Sequence, residues 1–543
     1  MTRSEMTAGM PAIPLDCDVL VVGAGFAGLY AVYAARRLGF SVACIEAGGD
    51  VGGTWYWNRY PGARCDVESI DYSYSFDADL QRDWRWSERY ATQPEILAYA
   101  NHVADRFRLR PHIRFNQRVT AASFDEASAA WTATLANGEL LRTRWIIFAA
   151  GSLSTPIRPD IPGVDDFAGE MLFTARWPGE PVSFEGKRVG VIGTGASAMQ
   201  SVPIIAASAA KLTVFQRSPN YSVPAFNREI PDEEWREAVR TYPERRRMAF
   251  ASGGGSPHEM YPKEIWDVPE PEREALFEEG WKKGGVLFAK IFPNQTSDDR
   301  VNALARDFAE RKIRAIVQDP SVADDLVPSD HPIGTKRICT DSGYFETFNR
   351  DNVELVNLRR DPILEITASG IRTREATHDF DMLIFATGFD AMTGTIARVD
   401  IRGPGGESVA EAWADGPMTM LGLMIPGFPN LFNITGPGSP SVLANMILGA
   451  EQHVNWAMEL VRQASADGHT MVEARRDAAE AWTAHVNEVA AGTLFTQAKS
   501  WYMGANVEGK TRTFMPYVGG FSGYIGHCER VRDEGYPGFV FGS

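Results

Sequence analysis

Cysteine is scarce and badly placed for chemistry. The 543 residues include five: Cys17, Cys44, Cys65, Cys339 and Cys528, at gaps of 27, 21, 274 and 189 positions (44 − 17, 65 − 44, 339 − 65, 528 − 339). No CxxC or CxxxxC pair occurs and the number is odd. This disfavours a disulfide scaffold, a zinc ribbon and a dithiol redox centre. Histidine is sparse too, with nine residues and no HxxxH or HExxH pair, so no metal site is expected. Basic charge is in deficit: 54 Lys and Arg against 70 Asp and Glu gives −16. Such a chain does not bind nucleic acid or an anionic membrane through its overall field. Met1 to Asp16 has no apolar leader, and the apolar run Val19 to Ala35 holds three glycines and is too short to span a bilayer. The expectation is a cytoplasmic protein, monomeric or weakly homo-oligomeric, with no membrane insertion. Its 44% hydrophobic and 23% charged residues are ordinary for a globular chain. Its length implies several domains.

What is present is a phosphate-binding unit, twice. Asp18-Val-Leu-Val-Val22 reads as a buried parallel strand. Gly23-Ala-Gly25-Phe-Ala27-Gly28 follows, then a helix over Leu29 to Leu38 closed by Gly39. A second strand, Ser41 to Ile45, is closed by Glu46. An isolated GxGxxG says little. Between strand and helix, with an acid 18 residues past its last glycine (46 − 28), it specifies a dinucleotide site. The glycines admit a pyrophosphate to the backbone, the helix N-terminus meets its charge, and Glu46 is placed for a ribose hydroxyl pair.

The second unit runs from strand Arg188 to Ile192, through the turn Gly193-Thr194-Gly195-Ala196-Ser197-Ala198, to strand Leu212 to Gln216. Glu46 lies 23 residues past Gly23 (46 − 23). The same count from Gly193 lands one short of Arg217, which Ser218 follows. A carboxylate selects a ribose 2′-hydroxyl, and a guanidinium selects a 2′-phosphate. The first site therefore reads as FAD and the second as NADPH.

Trp145-Ile-Ile-Phe-Ala-Ala-Gly151 and Met382-Leu-Ile-Phe-Ala-Thr-Gly388 are alike, both apolar strands ending in Ala-x-Gly. They imply an α/β fold of two Rossmann-like dinucleotide-binding domains, one inserted in the other, with a helical insertion. The FAD-binding domain is expected over 1–153 and 387–543, the NADPH-binding domain over 154–222 and 333–386, and a helical sub-domain over 223–332. Within the last, helices are predicted over Glu233 to Arg247, Pro269 to Gly280 and Asp298 to Gln318, with a loop at Ser252 to Pro257. Two such sites in one chain point to electron flow from NADPH to flavin. With no dithiol and no metal ligands, the onward acceptor is oxygen or an external carrier. A hydrolase elbow also fails, because Met199 stands where GxSxG needs its last glycine. A flavoprotein retained for binding stays open as well.

One long motif narrows this. Gly52-Gly-Thr54-Trp55-Tyr56-Trp57-Asn-Arg59-Tyr60-Pro61-Gly62-Ala-Arg64-Cys-Asp66, followed by Tyr72, resembles the signature of type I Baeyer–Villiger monooxygenases. These are class B flavoproteins that convert ketones to esters or lactones. The family's second signature, FxGxxxHxxxW before Pro or Asp, is met by Phe167, Gly169, Trp177 and Pro178, with Phe173 where the family has His. The resemblance continues through Gly334-Thr-Lys336-Arg337, Phe385 to Asp390, Gly436 to Met446 and Ser500 to Asn506, covering nearly the whole chain. It is nearest to the phenylacetone and steroid monooxygenase branch, and Ser252 to His258, Gly284 to Phe288 and Thr340 to Tyr344 lean to the steroid member.

The resemblance implies NADPH- and oxygen-dependent chemistry through an FAD C4a-peroxide. The peroxide attacks a ketone as an anion, and a fixed cation both favours that anion and stabilises the carbonyl oxygen's developing charge. Family position assigns this to Arg337, oriented by Asp66. It sets Ala27, Thr54, Trp55, Tyr56, Trp57, Asp66, Val67, Tyr72, Val119 and Met446 around FAD, with Gly23, Gly25, Gly28 and Glu46. NADP falls to Gly193, Thr194, Gly195, Ala196, Ser197 and Ala198, with Arg64, Gln200, Arg217, Ser218, Lys336, Arg337 and Trp501. Val67, Ser152, Leu153, Ile338, Cys339, Val442, Leu443, Met446 and Met515 fall near the substrate pocket. They are mostly apolar and none is charged, which implies a hydrophobic ketone: an aryl or aliphatic methyl ketone, or a bulky cyclic or steroid ketone. Thioether sulfoxidation is an expected side reaction. Phe173 cannot make the hydrogen bonds of a histidine, so the hinge between domains is expected to rest on packing. The rival reading is a flavin monooxygenase that hydroxylates sulfur or nitrogen, which Phe173 favours and Arg337 and Asp66 oppose.

Overall fold

A computed structural model describes residues 14–258 and 260–543. The leader expectation for Met1 to Asp16 lies mostly outside that range. The strand Cys17–Val22 runs parallel between Val42–Ile45 and Leu140–Phe148. All three are apolar through their middles, as strands covered on both faces must be, and Val19, Leu20 and Val21 have no exposed surface. The helix Phe26–Arg37 joins the first two and packs on the long helix Met446–Ala466. The sheet has eight strands, in the order Asp400–Arg402, Val119–Asp125, Ala130–Leu135, Leu140–Phe148, Cys17–Val22, Val42–Ile45, Ile113–Arg114, with Leu431–Asn433 also paired on Leu140–Phe148. Segments far apart in the chain therefore build one sheet.

A second sheet is wholly parallel, in the order Val353–Asn357, Lys211–Gln216, Arg188–Ile192, Met382–Phe385, Glu170–Phe173. The two alike Ala-x-Gly segments occupy the same place in the two sheets. Gly23 has φ +101°, and a Cβ there would lie 2.8 Å from the Ala149 carbonyl oxygen. Gly193 has φ +112°, and a Cβ there would lie 2.4 Å from the Ala386 oxygen. Only glycine tolerates both that backbone and that approach. Each Ala-x-Gly strand thus runs beside the first glycine of its own dinucleotide turn.

The helices Asp232–Ala251, Glu270–Lys283 and Asp299–Ile316 fall where the pattern predicts, with shifted ends. The latter two pack around Phe277, Trp281, Phe288 and Phe308. A parallel pair, Ser222–Pro224 with Cys339–Asp341, ties together the two ends of this helical segment. Among the described residues no helix is long and apolar enough to cross a membrane.

Candidate active site

The first dinucleotide turn opens onto a cleft of about 650 Å³. Gly23, Gly25, Ala27, Glu46 and Thr54 border it, as do Trp55, Trp57, Tyr72, Val119 and Met446. The helix Phe26–Arg37 starts at Gly25 with no side-chain cap, leaving its first amides open to an anion. Glu46 accepts the Ala24 and Gly48 amides, each at 2.6 Å, and so holds the turn as well as facing the cleft. Trp55 donates its indole N–H to the Tyr72 hydroxyl at 3.2 Å. Open amides, an acid at the ribose position and an aromatic and aliphatic wall fit a flavin dinucleotide. Gly28, Tyr56, Asp66 and Val67 do not border the cleft. The Tyr56 hydroxyl instead accepts the Gly49 amide at 3.0 Å, and Arg59 lies over its ring at 4.5 Å. Val67 packs on the core beneath. Sequence reasoning missed Arg118 and Arg176, which also border the cleft. Arg176 sits 5.1 Å over the Trp57 ring. Burial, then Arg118's charge, lowers its pKa. It lies within the second signature but at one of its unspecified positions.

Asp66 follows the short helix Thr54–Trp57, and Arg337 precedes the strand Cys339–Asp341. Arg337 Nε donates to Asp66 Oδ2 at 2.5 Å and Nη2 to Oδ1 at 2.8 Å. Its third nitrogen, Nη1, donates to the Val442 carbonyl at 2.6 Å. Asn220 Nδ2 donates to the Arg337 carbonyl at 3.1 Å. Burial pushes the Arg337 pKa down, but the Asp66 charge and hydrogen bonds outweigh it and hold the guanidinium above its ordinary value. The neighbouring Tyr502 hydroxyl is pushed up to about 12, chiefly by burial, and stays neutral. The Cys339 thiol, also pushed up to about 12 by burial, is no nucleophile.

At the second turn, the helix Ala196–Ser208 starts at Gly195, again with no side-chain cap. Thr194 Oγ1 donates to the Ser218 carbonyl at 2.9 Å, joining the turn to the end of the next strand. Arg217 is exposed, with no ion-pair partner among the described residues. Lys336 Nζ lies 3.8 Å from Asp330. Arg359 pairs with the same Asp330 and donates to Ser218 Oγ at 3.0 Å. Burial lowers the Lys336 pKa, Asp330 opposes it, and Arg359 and Arg217 lower it further. Lys336 and Arg359 share one carboxylate and Arg217 adds its charge near Lys336, so positive charge is in surplus, which fits a 2′-phosphate. Arg359 escaped sequence reasoning because sheet register brings it here, Asn357 pairing with Gln216, and Asp330 because only the fold sets it between Arg359 and Lys336.

Two of the expected NADP residues are otherwise engaged. Arg64 Nη1 pairs with Glu88 at 3.2 Å. Gln200 accepts from the Tyr60 hydroxyl at 2.9 Å and donates to the Arg64 carbonyl at 3.1 Å. Together they clamp the signature loop onto the helix Ala196–Ser208. Of the pocket residues, Ser152, Leu153, Val442 and Met446 border the cleft. Leu443 and Trp501 pack beside Val442 and Tyr502. Ile338, just before the strand Cys339–Asp341, is instead buried in the helical core with Tyr221 and Phe288. Met515 is buried against Ala391 and Met392, with Leu153 and Trp501 at its edge. Cys339 Sγ accepts from Asn220 at 3.4 Å. Phe173 stacks on Phe385, centroids 4.8 Å apart and planes at 16°.

A family model described as pyridine nucleotide-disulphide oxidoreductase matches residues 17–240. The disulphide chemistry in that description has no counterpart here, since all five cysteines are free and buried. A phenazine N-monooxygenase of Lysobacter antibioticus is 40% identical over 97% of this chain and 97% of its own. A Baeyer–Villiger monooxygenase of Pseudooceanicola batsensis is 39% identical over 98% of each chain. The solved structure of an oxidized steroid monooxygenase bound to NADP is 53% identical, covers 97% of this chain and 99% of its own, and superposes with a TM-score of 0.93.

Proposed function

The chain belongs to the Baeyer–Villiger monooxygenase family, and from that premise we propose that Arg337 and Asp66 serve the oxidation of a hydrophobic ketone to its ester or lactone. It is an FAD-containing, NADPH-dependent monooxygenase. Bound flavin, reduced by NADPH, supplies the oxygen-activating chemistry.

The observation that carries the proposal is the two-bonded fork of Asp66 on Arg337. It fixes the guanidinium plane, so a permanent cation stands where the ketone oxygen gains charge. Arginine cannot give up a proton at working pH, so it stabilises negative charge without quenching it. The Val442 carbonyl takes one Nη1 hydrogen and ties this cation to the loop that precedes Met446, leaving two of the five guanidinium N–H groups for the ketone oxygen. Arg217, Lys336 and Arg359 hold the 2′-phosphate end of NADPH, and the pocket walls at Leu153 and Val442 exclude water. Thioethers are oxygenated in the same pocket.

Oxygen transfer to nitrogen or sulfur as the main reaction is favoured by Phe173 in the second signature and by the 40% identity to a phenazine N-monooxygenase. A neutral aryl methyl ketone supplied beside a phenazine separates the two. One ester formed per NADPH consumed supports the ketone reaction. N-oxide formation with no ester overturns it.

A further inference from the structure

Four charged residues border the flavin cleft: Glu46, Arg118, Arg176 and Arg398. Both Glu46 oxygens already accept backbone amides, those of Ala24 and Gly48. Arg398 has a carboxylate partner, Asp390, at 3.5 Å. Arg118 and Arg176 have neither an ion pair nor a hydrogen bond among the described residues. Two cations therefore share the cleft with no free carboxylate on its wall to answer them. Guanidinium groups placed so suit a ligand that is anionic and carries an aromatic face.

Their places in the fold agree on one end of the cleft. The Gln117 amide donates to the Glu46 carbonyl at 2.9 Å, which sets Arg118 beside the acid at the ribose position. Arg176 arrives from the other sheet. It ends the turn Thr174–Arg176, which follows the strand Glu170–Phe173. Its neighbours Ala175 and Trp177 are buried while Arg176 is exposed, so the turn is anchored and the guanidinium is held out at the cleft. Arg176 lies 5.1 Å over the Trp57 ring. Trp57 meets the Tyr56 ring edge-on at 4.9 Å. A Cβ at Gly48 would lie 2.8 Å from Tyr56 Cε1 and 3.0 Å from Glu46 Oε1. Glu46, Gly48, Tyr56, Trp57 and Arg176 thus form one contiguous row, from the ribose acid to the second guanidinium. The charge of Arg118 bears on Arg176, as two cations at the same end require.

We propose that Arg118 and Arg176 hold the adenosine diphosphate half of FAD between them, through its negative charge and the face of its adenine. Because Arg176 comes from the second sheet, bound FAD is then gripped from both dinucleotide-binding domains. This rests on the first turn being the FAD site. The test compares full-length holoenzymes of wild type, Arg118→Met, Arg176→Met and Arg176→Lys. Both arginines are exposed, so these changes cost the fold little. Serial dilution, with released flavin read by fluorescence, gives the Kd for FAD. Each Met variant raises it roughly 10- to 100-fold, the worth of one charge-assisted hydrogen bond. Arg176→Lys falls between wild type and Arg176→Met. The absorbance spectrum of the flavin that stays bound is unchanged, because both arginines stand at the ribose-acid end. The KM for NADPH at saturating FAD is unchanged too. A Kd within about twofold of wild type in both Met variants overturns the inference. An altered flavin spectrum sets the arginines on the ring and overturns it as well. So does a raised KM for NADPH with an unchanged Kd for FAD, which sets them on the other nucleotide. Wild type that binds no FAD defeats the assignment of the first turn itself, not the arginines alone.

Discussion

Arg337 and Asp66 stand 271 positions apart in sequence and meet through two hydrogen bonds of 2.5 and 2.8 Å. Parallel bonds of this kind fix orientation as well as distance. Arg337→Ala is expected to lower ester formation by about 10²–10³. Anaerobic flavin reduction by NADPH should stay within about tenfold of wild type. Arg337→Lys keeps the charge but not the fork, and falls well short of wild type. Rapid-mixing absorbance separates the two half-reactions. An Arg337→Ala enzyme that forms ester at the normal rate removes this residue from the chemistry.

Arg359 lies beside Ser218 and shares Asp330 with Lys336. Arg359→Ala and Arg217→Ala are each expected to raise the KM for NADPH by about tenfold, the worth of a charge-assisted hydrogen bond. Neither should change the KM for NADH, which lacks the 2′-phosphate. Steady-state kinetics with both nucleotides checks this, and equal changes for the two would place these residues elsewhere.

Phe173 and Phe385 are strand neighbours whose rings stack at 4.8 Å. Phe173 is only half-buried, so Phe173→Ala should cost less than a full core truncation, about 1–3 kcal/mol. Because the pair spans the strand next to Ala386 and Gly193, the same change should raise the share of NADPH lost to hydrogen peroxide. Thermal melting and peroxide assays report the two effects. An unchanged melting temperature removes the stack from the account of the hinge.

Glu451 is buried, accepting from the Ser75 and Phe76 amides, and burial raises its pKa to about 7. The native state therefore binds a proton that the unfolded chain releases near pH 4.5. Stability from this group is full below about pH 4.5 and is lost as pH rises through about 7. The loss is on the order of 3 kcal/mol. Glu451→Gln should flatten the fall in melting temperature between about pH 4.5 and 7. A fall as steep as in wild type assigns it to other groups.

Both phosphate-binding units were legible because their chemistry is local: strand, glycine turn, helix and an acid or arginine at a fixed count. Arg337 with Asp66 was legible only through the resemblance, since nothing near Arg337 in sequence points to a partner 271 positions away. Ile338 was misplaced because its side chain packs into the helical core, a tertiary contact that its neighbourhood in sequence does not record. Arg64 with Glu88 and Gln200 with Tyr60 make contacts across the fold that the motif itself does not record. Arg359 follows from sheet register, which no local pattern records.

The most direct test is one turnover under ¹⁸O₂ with a neutral aryl methyl ketone, FAD and NADPH, read by mass spectrometry. The account predicts one labelled oxygen, in the bridging position of the ester, and its loss in Arg337→Ala. NADPH consumed with hydrogen peroxide formed and no labelled ester, across ketones of every size, would contradict it.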